Sequence, residues 1–157
     1  MNKGNKLYLA YGFFVNPKQM ADKCPTAAIV GTSELKGYRL LFKGAHAEAV
    51  ATVEADKDSA VPVLVWEITP ADEAALDRCE GYPAQCRKEI IKVKLESKSV
   101  SALVYIMNDG IPPGRPGAYH YNAILSGYEA AKIDTDILRK ALLTSIEMAE
   151  SLAEEPL

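Results

Sequence analysis

The segment Val61-Pro62-Val63-Leu64-Val65-Trp66-Glu67-Ile68 is apolar at nearly every position, and a helix-start signal follows it with no spacer. A run of this kind suits a strand covered on both faces, because an amphipathic strand would alternate. Directly after it, Thr69 can cap a helix, Pro70 fits the first helical position, and Asp72 and Glu73 complement the positive helix end. Thr69-Pro70-Ala71-Asp72 also has capping-box spacing, and Gly81 with Pro83 marks the stop. A buried strand feeding a helix requires a layered fold, with helices packed on a sheet.

Other strand signals fall mostly before residue 107. They are Lys6–Ala10, Ala28–Thr32, Tyr38–Phe42 after the Lys36-Gly37 turn, and the alternating Ala49–Glu54. Arg87–Glu96 and Val100–Met107 read as a hairpin joined through Ser97-Lys98-Ser99. Gly and Pro crowd 108–117, excluding helix and central strand there, and a loop of that length is more often functional than incidental. Tyr121–Ala131 and about Asp136–Leu152 read as helices, and the tail Glu154–Leu157 is expected to fray. Strands first and helices last indicate α+β. Six or so short strands are expected to close into a small mixed or antiparallel β-barrel flanked by helices. The 157 residues suit a single domain, 1–157, with no linker to divide it.

Composition narrows the function classes. A formal charge of −3, with signs mixed along the chain, supplies no basic surface for nucleic acid or an anionic membrane. No apolar run approaches the roughly 20 residues of a membrane span, and no signal-like stretch follows the N-terminus. The expected location is cytoplasmic. Cys24, Cys79 and Cys86 lack metal-type spacing, as do His46 and His120, so no metal site is expected. Neither a nucleophilic-serine elbow nor a glycine-rich phosphate loop is present. Cys24 and Cys79 read as small buried hydrophobes, and nothing near Cys86 marks it as a reactive thiol.

Glu80 is the candidate for proton transfer. It stands at the end of a helix, where partial negative charge disfavours an anion, and partial burial would raise its pKa further. A solvated glutamate at a helix end is the ordinary alternative.

Several segments, in order and spacing, resemble the gamma-glutamylcyclotransferase-like family. They include Tyr8-Leu9-Ala10-Tyr11-Gly12, Asn16-Pro17-Lys18-Gln19-Met20, Gly37-Tyr38-Arg39-Leu40, Val61–Glu67, Leu76-Asp77-Arg78-Cys79-Glu80-Gly81-Tyr82 and Tyr121–Tyr128. The resemblance implies a compact barrel flanked by helices with a pocket at one end. It implies an enzyme needing neither metal nor organic cofactor, in which the α-amine of a γ-glutamyl group attacks its own γ-carbonyl and releases 5-oxoproline and an amine. The family's catalytic glutamate falls on Glu80. The turn Gly12–Val15 would offer backbone N–H groups to the substrate, so Tyr11, Gly12, Phe13 and Phe14 are the expected binding residues. The family's late tyrosine aligns with Tyr121, favoured over Tyr119, and Arg115 in the Gly/Pro loop is a further candidate for a carboxylate contact.

Two departures stand out. The usual Tyr-Gly-Ser-Asn turn reads Tyr11-Gly12-Phe13-Phe14 here, removing two polar side chains and keeping the main-chain donors. Cys86 stands where relatives often carry tyrosine, and a thiol cannot replace a phenol's hydrogen bond. The expected function is therefore cyclotransfer on a γ-glutamyl amine or amide with Glu80 as acid/base. The alternative is a non-catalytic member that binds a small molecule through Phe13-Phe14. The amine, the oligomeric state and the pathway are not legible in the sequence.

Overall fold

The computed structural model describes residues 2–154. The terminal residues 155–157, most of the tail expected to fray, lie outside the described residues. The chain runs β1 (Lys6–Ala10), a 3₁₀ turn (Phe13–Val15), α1 (Pro17–Lys23), β2 (Ala28–Lys43), β3 (Val50–Ile68) and α2 (Pro70–Glu80). It continues through β4 (Cys86–Leu95), β5 (Lys98–Met107), α3 (Ala118–Ala130) and α4 (Asp136–Ala153). This is an α+β fold.

The five strands form one mixed sheet in the order β2-β3-β1-β5-β4. Central β1 pairs antiparallel with β3 (Tyr8 opposite Trp66) and parallel with β5 (Tyr8 opposite Leu103). The expected barrel is corrected to an open, curled sheet. Its outer strands approach, with the Ser33 hydroxyl donating to the Lys94 carbonyl, but no ladder joins β2 to β4.

The four strand signals on either side of Gly37 and of residues 55–60 merge into two long strands. Pairing of β2 with β3 steps from Lys36↔Ala60 to Tyr38↔Ala55, so the extra residues of β3 bulge out and the ladder resumes beyond them. The Gly37 turn is thus a bend within a strand, as expected where a bulge increases local twist. In β3, Val61, Val63, Leu64, Val65, Trp66 and Ile68 are all buried, consistent with cover on both faces. The Gly/Pro segment after β5 is tied to β2: Gly44 N–H donates to the Pro112 carbonyl (2.8 Å) and Gly114 N–H to the Phe42 carbonyl (3.1 Å).

Periodicity does not announce α1; its signal is the cap. Asn16 Oδ1 accepts from the N–H groups of Lys18 (2.9 Å) and Gln19 (3.3 Å), while Asn16 Nδ2 donates to the Ala123 carbonyl of α3 (2.9 Å). One side chain therefore starts α1 and fastens the preceding turn to α3. In α2 the capping box is complete, with Thr69 Oγ1 accepting from Asp72 N–H and Asp72 accepting from Thr69 N–H. Among the described residues, no helix is long and apolar enough to cross a membrane.

Candidate active site

The site is built at the ends of β1 and α2. An acidic and basic cluster sets α2 on the sheet: Lys88 of β4 contacts Glu73 (2.8 Å) and Asp77 (2.8 Å), and Lys6 of β1 contacts Glu73 (2.9 Å). Tyr105 of β5 donates its hydroxyl to Asp77 Oδ1 (2.6 Å). These partners hold Glu73 and Asp77 below the ordinary carboxylate range: burial works against ionisation and is outweighed by the hydrogen bonds and charge of Lys88. Anchored in this way, the helix ends at Glu80, and Gly81 turns the chain away in the left-handed conformation (φ 68°) that glycine adopts without strain.

Glu80 faces a cavity of about 520 Å³. The residue as a whole is half-buried, with its carboxyl enclosed, and burial raises that carboxyl from 4.5 to about 7. Enclosure penalises the anion because it removes water without supplying a compensating cation. The contrast with Asp77, one helical turn earlier, is informative. Both are carboxylates at the same helix end, and only the one lacking Lys88 is pushed up.

The turn after β1 forms another part of the wall. Tyr11, Gly12, Phe13 and Phe14 all line the cavity. The turn is fixed from behind: Trp66 Nε1–H donates to the Phe14 carbonyl (3.1 Å), and the Tyr11 hydroxyl donates to the Tyr105 carbonyl (2.6 Å). Tyr8 and Tyr105 complete this part, their rings edge to face at 5.9 Å. Burial, and secondarily the Glu80 charge, raises the phenols of Tyr8 and Tyr11 well above the ordinary value, so both are neutral donors or acceptors at neutral pH.

Tyr121 is not brought to the cavity. Its ring packs against Phe42 (centroids 6.0 Å apart), and the late tyrosine on the wall is Tyr119, accompanied by His120. The physical reason is where α3 begins. It starts at Ala118, three residues before the sequence signal, so Tyr119 and His120 occupy its first turn and Tyr121 is rotated toward the sheet. Arg115 is exposed and does not line the cavity. Cys86 does, together with the exposed Cys79, and burial pushes the Cys86 thiol to about 11, so it is protonated and a poor nucleophile.

His120 is the residue that sequence reasoning missed. Its Nε2 accepts the Ala51 N–H (3.1 Å), its ring stacks on Phe13 (5.5 Å, 3°), and burial lowers its pKa to about 4. No sequence signal could have found it, because Ala51 and Phe13 belong to elements distant along the chain. Thr52, Gln85 and Lys23 also reach the wall and carry no motif.

Three comparisons bear on what this arrangement is. Solved structures share the fold. A human protein described as uncharacterized protein loc79017 superposes with a TM-score of 0.77 at 20% identity, over 88% of this chain and 87% of that one. A structure described as gamma-glutamyl cyclotransferase gives 0.76 at 18% identity over 96% and 99%. A yeast gamma-glutamyl cyclotransferase described as specific to glutathione gives 0.62 at 12% over 92% and 96%. No curated protein matches the chain in sequence. The family model described as gamma-glutamyl cyclotransferase, AIG2-like, matches residues 8–129, a stretch that contains most of β1, the turn, Glu80 and α3 up to its penultimate residue. With most of its length matched by that model and its fold shared with these structures, the chain belongs to the gamma-glutamyl cyclotransferase, AIG2-like family.

Proposed function

We propose that this protein is a cofactor-free cyclotransferase that acts on a γ-glutamyl amine or amide and releases 5-oxoproline and an amine. The observation that carries this reading is Glu80: a carboxyl raised to about 7 by burial, on the wall of a cavity it shares with the Tyr11-Gly12 turn. A group titrating near neutrality can both accept and return a proton at working pH. Family membership makes a γ-glutamyl substrate the natural small-molecule partner.

In this mechanism the ionised Glu80 takes one proton from the substrate's α-ammonium. The freed amine attacks the γ-carbonyl carbon, forming the new C–N bond and a tetrahedral oxyanion. Glu80 delivers its proton to the amide nitrogen, the old C–N bond breaks, and the amine departs. Of the two protons left on the ring nitrogen, one leaves through the regenerated carboxylate to the departing amine and the other stays as the lactam N–H, so the charges balance. The turn's main-chain N–H groups, with no side chain capping them, suit a developing oxyanion or the substrate carboxylate. Because the nucleophile belongs to the substrate, the protein's principal task is to hold a folded-back conformer.

The second reading, a non-catalytic binder, draws on the two phenyl rings at the cavity wall where a serine and an asparagine are usual. Assay of 5-oxoproline release from a panel of γ-glutamyl amines and dipeptides separates the two. The wild type is expected to produce it, and Glu80→Gln to lose about 10²–10⁴-fold in rate while remaining folded, the scale of a general acid/base contribution. Because the base must be ionised, kcat/KM should rise with pH through about 7 and level off above. Comparable turnover in the Gln variant would remove Glu80 from the chemistry; a folded wild type inert toward the whole panel would favour the binder.

A further inference from the structure

The wall of the cavity has two contiguous sectors of different chemistry. One surrounds Glu80 and contains Tyr8, Tyr11 and Tyr105; the Tyr8 and Tyr105 rings are in contact, and the Tyr11 hydroxyl donates to the Tyr105 main-chain carbonyl. The other is built on Phe13. Its ring stacks on His120 (5.5 Å, 3°), meets Phe14 edge-on (5.6 Å, 77°) and lies 6.2 Å from Tyr119. All four of these rings line the cavity.

The aromatic sector is held in place. Gln19 Nε2 donates to the Tyr119 hydroxyl (2.8 Å), and the Ala51 N–H binds His120 Nε2. Tyr119 nevertheless keeps 72% of its surface exposed, as a ring awaiting a contact would. The sector also lacks negative charge. Phe13 and Phe14 carry no titratable group, and His120, its pKa lowered by burial to about 4, is neutral. Beside Glu80, the charged side chain on the wall is Lys23, a cation. An ammonium placed in the aromatic sector would find no carboxylate there to pair with. A flat apolar group would gain ring contacts from rings already ordered.

The volume supports two occupants. About 520 Å³ exceeds what a glutamyl group alone would fill and suits a glutamyl group with a second side chain of aromatic size. We propose that the aromatic sector receives the amine half of the γ-glutamyl conjugate, and that this half is an uncharged aromatic or bulky apolar group selected by Phe13, Tyr119 and His120. The inference rests on the cyclotransferase reading for its γ-glutamyl half. It rests on this chain's own rings for the amine half.

The test compares γ-glutamyl-phenylalanine, γ-glutamyl-alanine and Nε-(γ-glutamyl)-lysine. Two readouts are taken: kcat/KM from 5-oxoproline release, and affinity by calorimetry with Glu80→Gln, which binds without turnover. The phenylalanine conjugate is expected to lead the other two by about tenfold or more, the scale of one aromatic contact. Phe13→Ala and the surface variant Tyr119→Ala should each shrink that lead, mainly through KM, and Tyr119→Ala leaves the core untouched. Equal or reversed preference overturns the inference, as does a lead that neither variant changes. If no conjugate turns over but calorimetry still shows the ring-dependent preference, cyclotransfer fails and the aromatic specificity stands. Turnover favouring alanine or lysine gives the converse.

Discussion

Glu80 and Asp77 differ by one helical turn, and the difference between them is a matter of partners. Lys88 holds Asp77 down; Glu80 has only enclosure, which pushes it to about 7. A raised carboxyl costs the folded state. Below pH 4.5 Glu80 is protonated whether folded or unfolded and contributes no penalty. Between 4.5 and about 7 the folded protein keeps a proton the unfolded chain releases, so the penalty grows as pH rises and is complete above about 7. Glu80→Gln is therefore expected to stabilise the protein by about 3 kcal/mol at pH 8, following from 1.36 kcal/mol per pKa unit. The gain should vanish at pH 4, as chemical denaturation at the two pH values would register. No gain at pH 8 would mean the carboxylate is well solvated. A stabilising, activity-abolishing substitution fits the common trade between stability and function. The awkward placement of Glu80 at a helix end was legible in the sequence. Its enclosure was not, since Tyr8 arrives from β1, Tyr11 from the turn after it and Tyr105 from β5.

At the scale of elements, local chemistry was read well wherever it is local. The start and stop of α2 follow from Thr69, Pro70, Asp72 and Gly81, all within the helix or next to it. Thr69→Ala should cost about 1 kcal/mol, the usual worth of an N-cap. Thr26 also donates to Asp72 (2.8 Å), and Lys88 grips the middle of the helix, so kcat/KM should change little. Urea unfolding paired with a rate measurement checks both, and a large drop in rate would mean that the cap sets the position of Glu80. Elsewhere, local signals misled. Gly37 reads as a turn between two strands, but the β2–β3 ladder continues past it because β3 absorbs the mismatch in a bulge. The first turn of α3 has no side-chain cap, so nothing in sequence marks Ala118 as its start or shows that Tyr119 rather than Tyr121 lies on the cavity wall.

For the whole molecule, the site depends on how α3 docks against the turn after β1. At Gly127 of α3, an added Cβ would lie 2.7 Å from the Asn16 nitrogen and 2.7 Å from the Val15 carbonyl carbon, both backbone atoms that cannot yield cheaply. Gly127→Ala should cost about 1–3 kcal/mol as an overpacked contact. It should also lower kcat/KM, because α3 supplies Tyr119 and His120 while the turn supplies Phe13. Unchanged activity with unchanged stability would show that the two bodies have slack. The same docking explains the division between sequence and tertiary structure. The sequence alone determined the fold class, the capped helix ending at Glu80, the buried strand before it and the family pattern, since each is written in neighbouring residues or fixed spacings. Only the tertiary structure decided that the sheet stays open, that Glu80 is enclosed, and that Tyr119 and His120 join Phe13 at the wall. Those outcomes depend on contacts between residues far apart along the chain, over a hundred positions for Phe13 with Tyr119 and His120, and no local spacing encodes them.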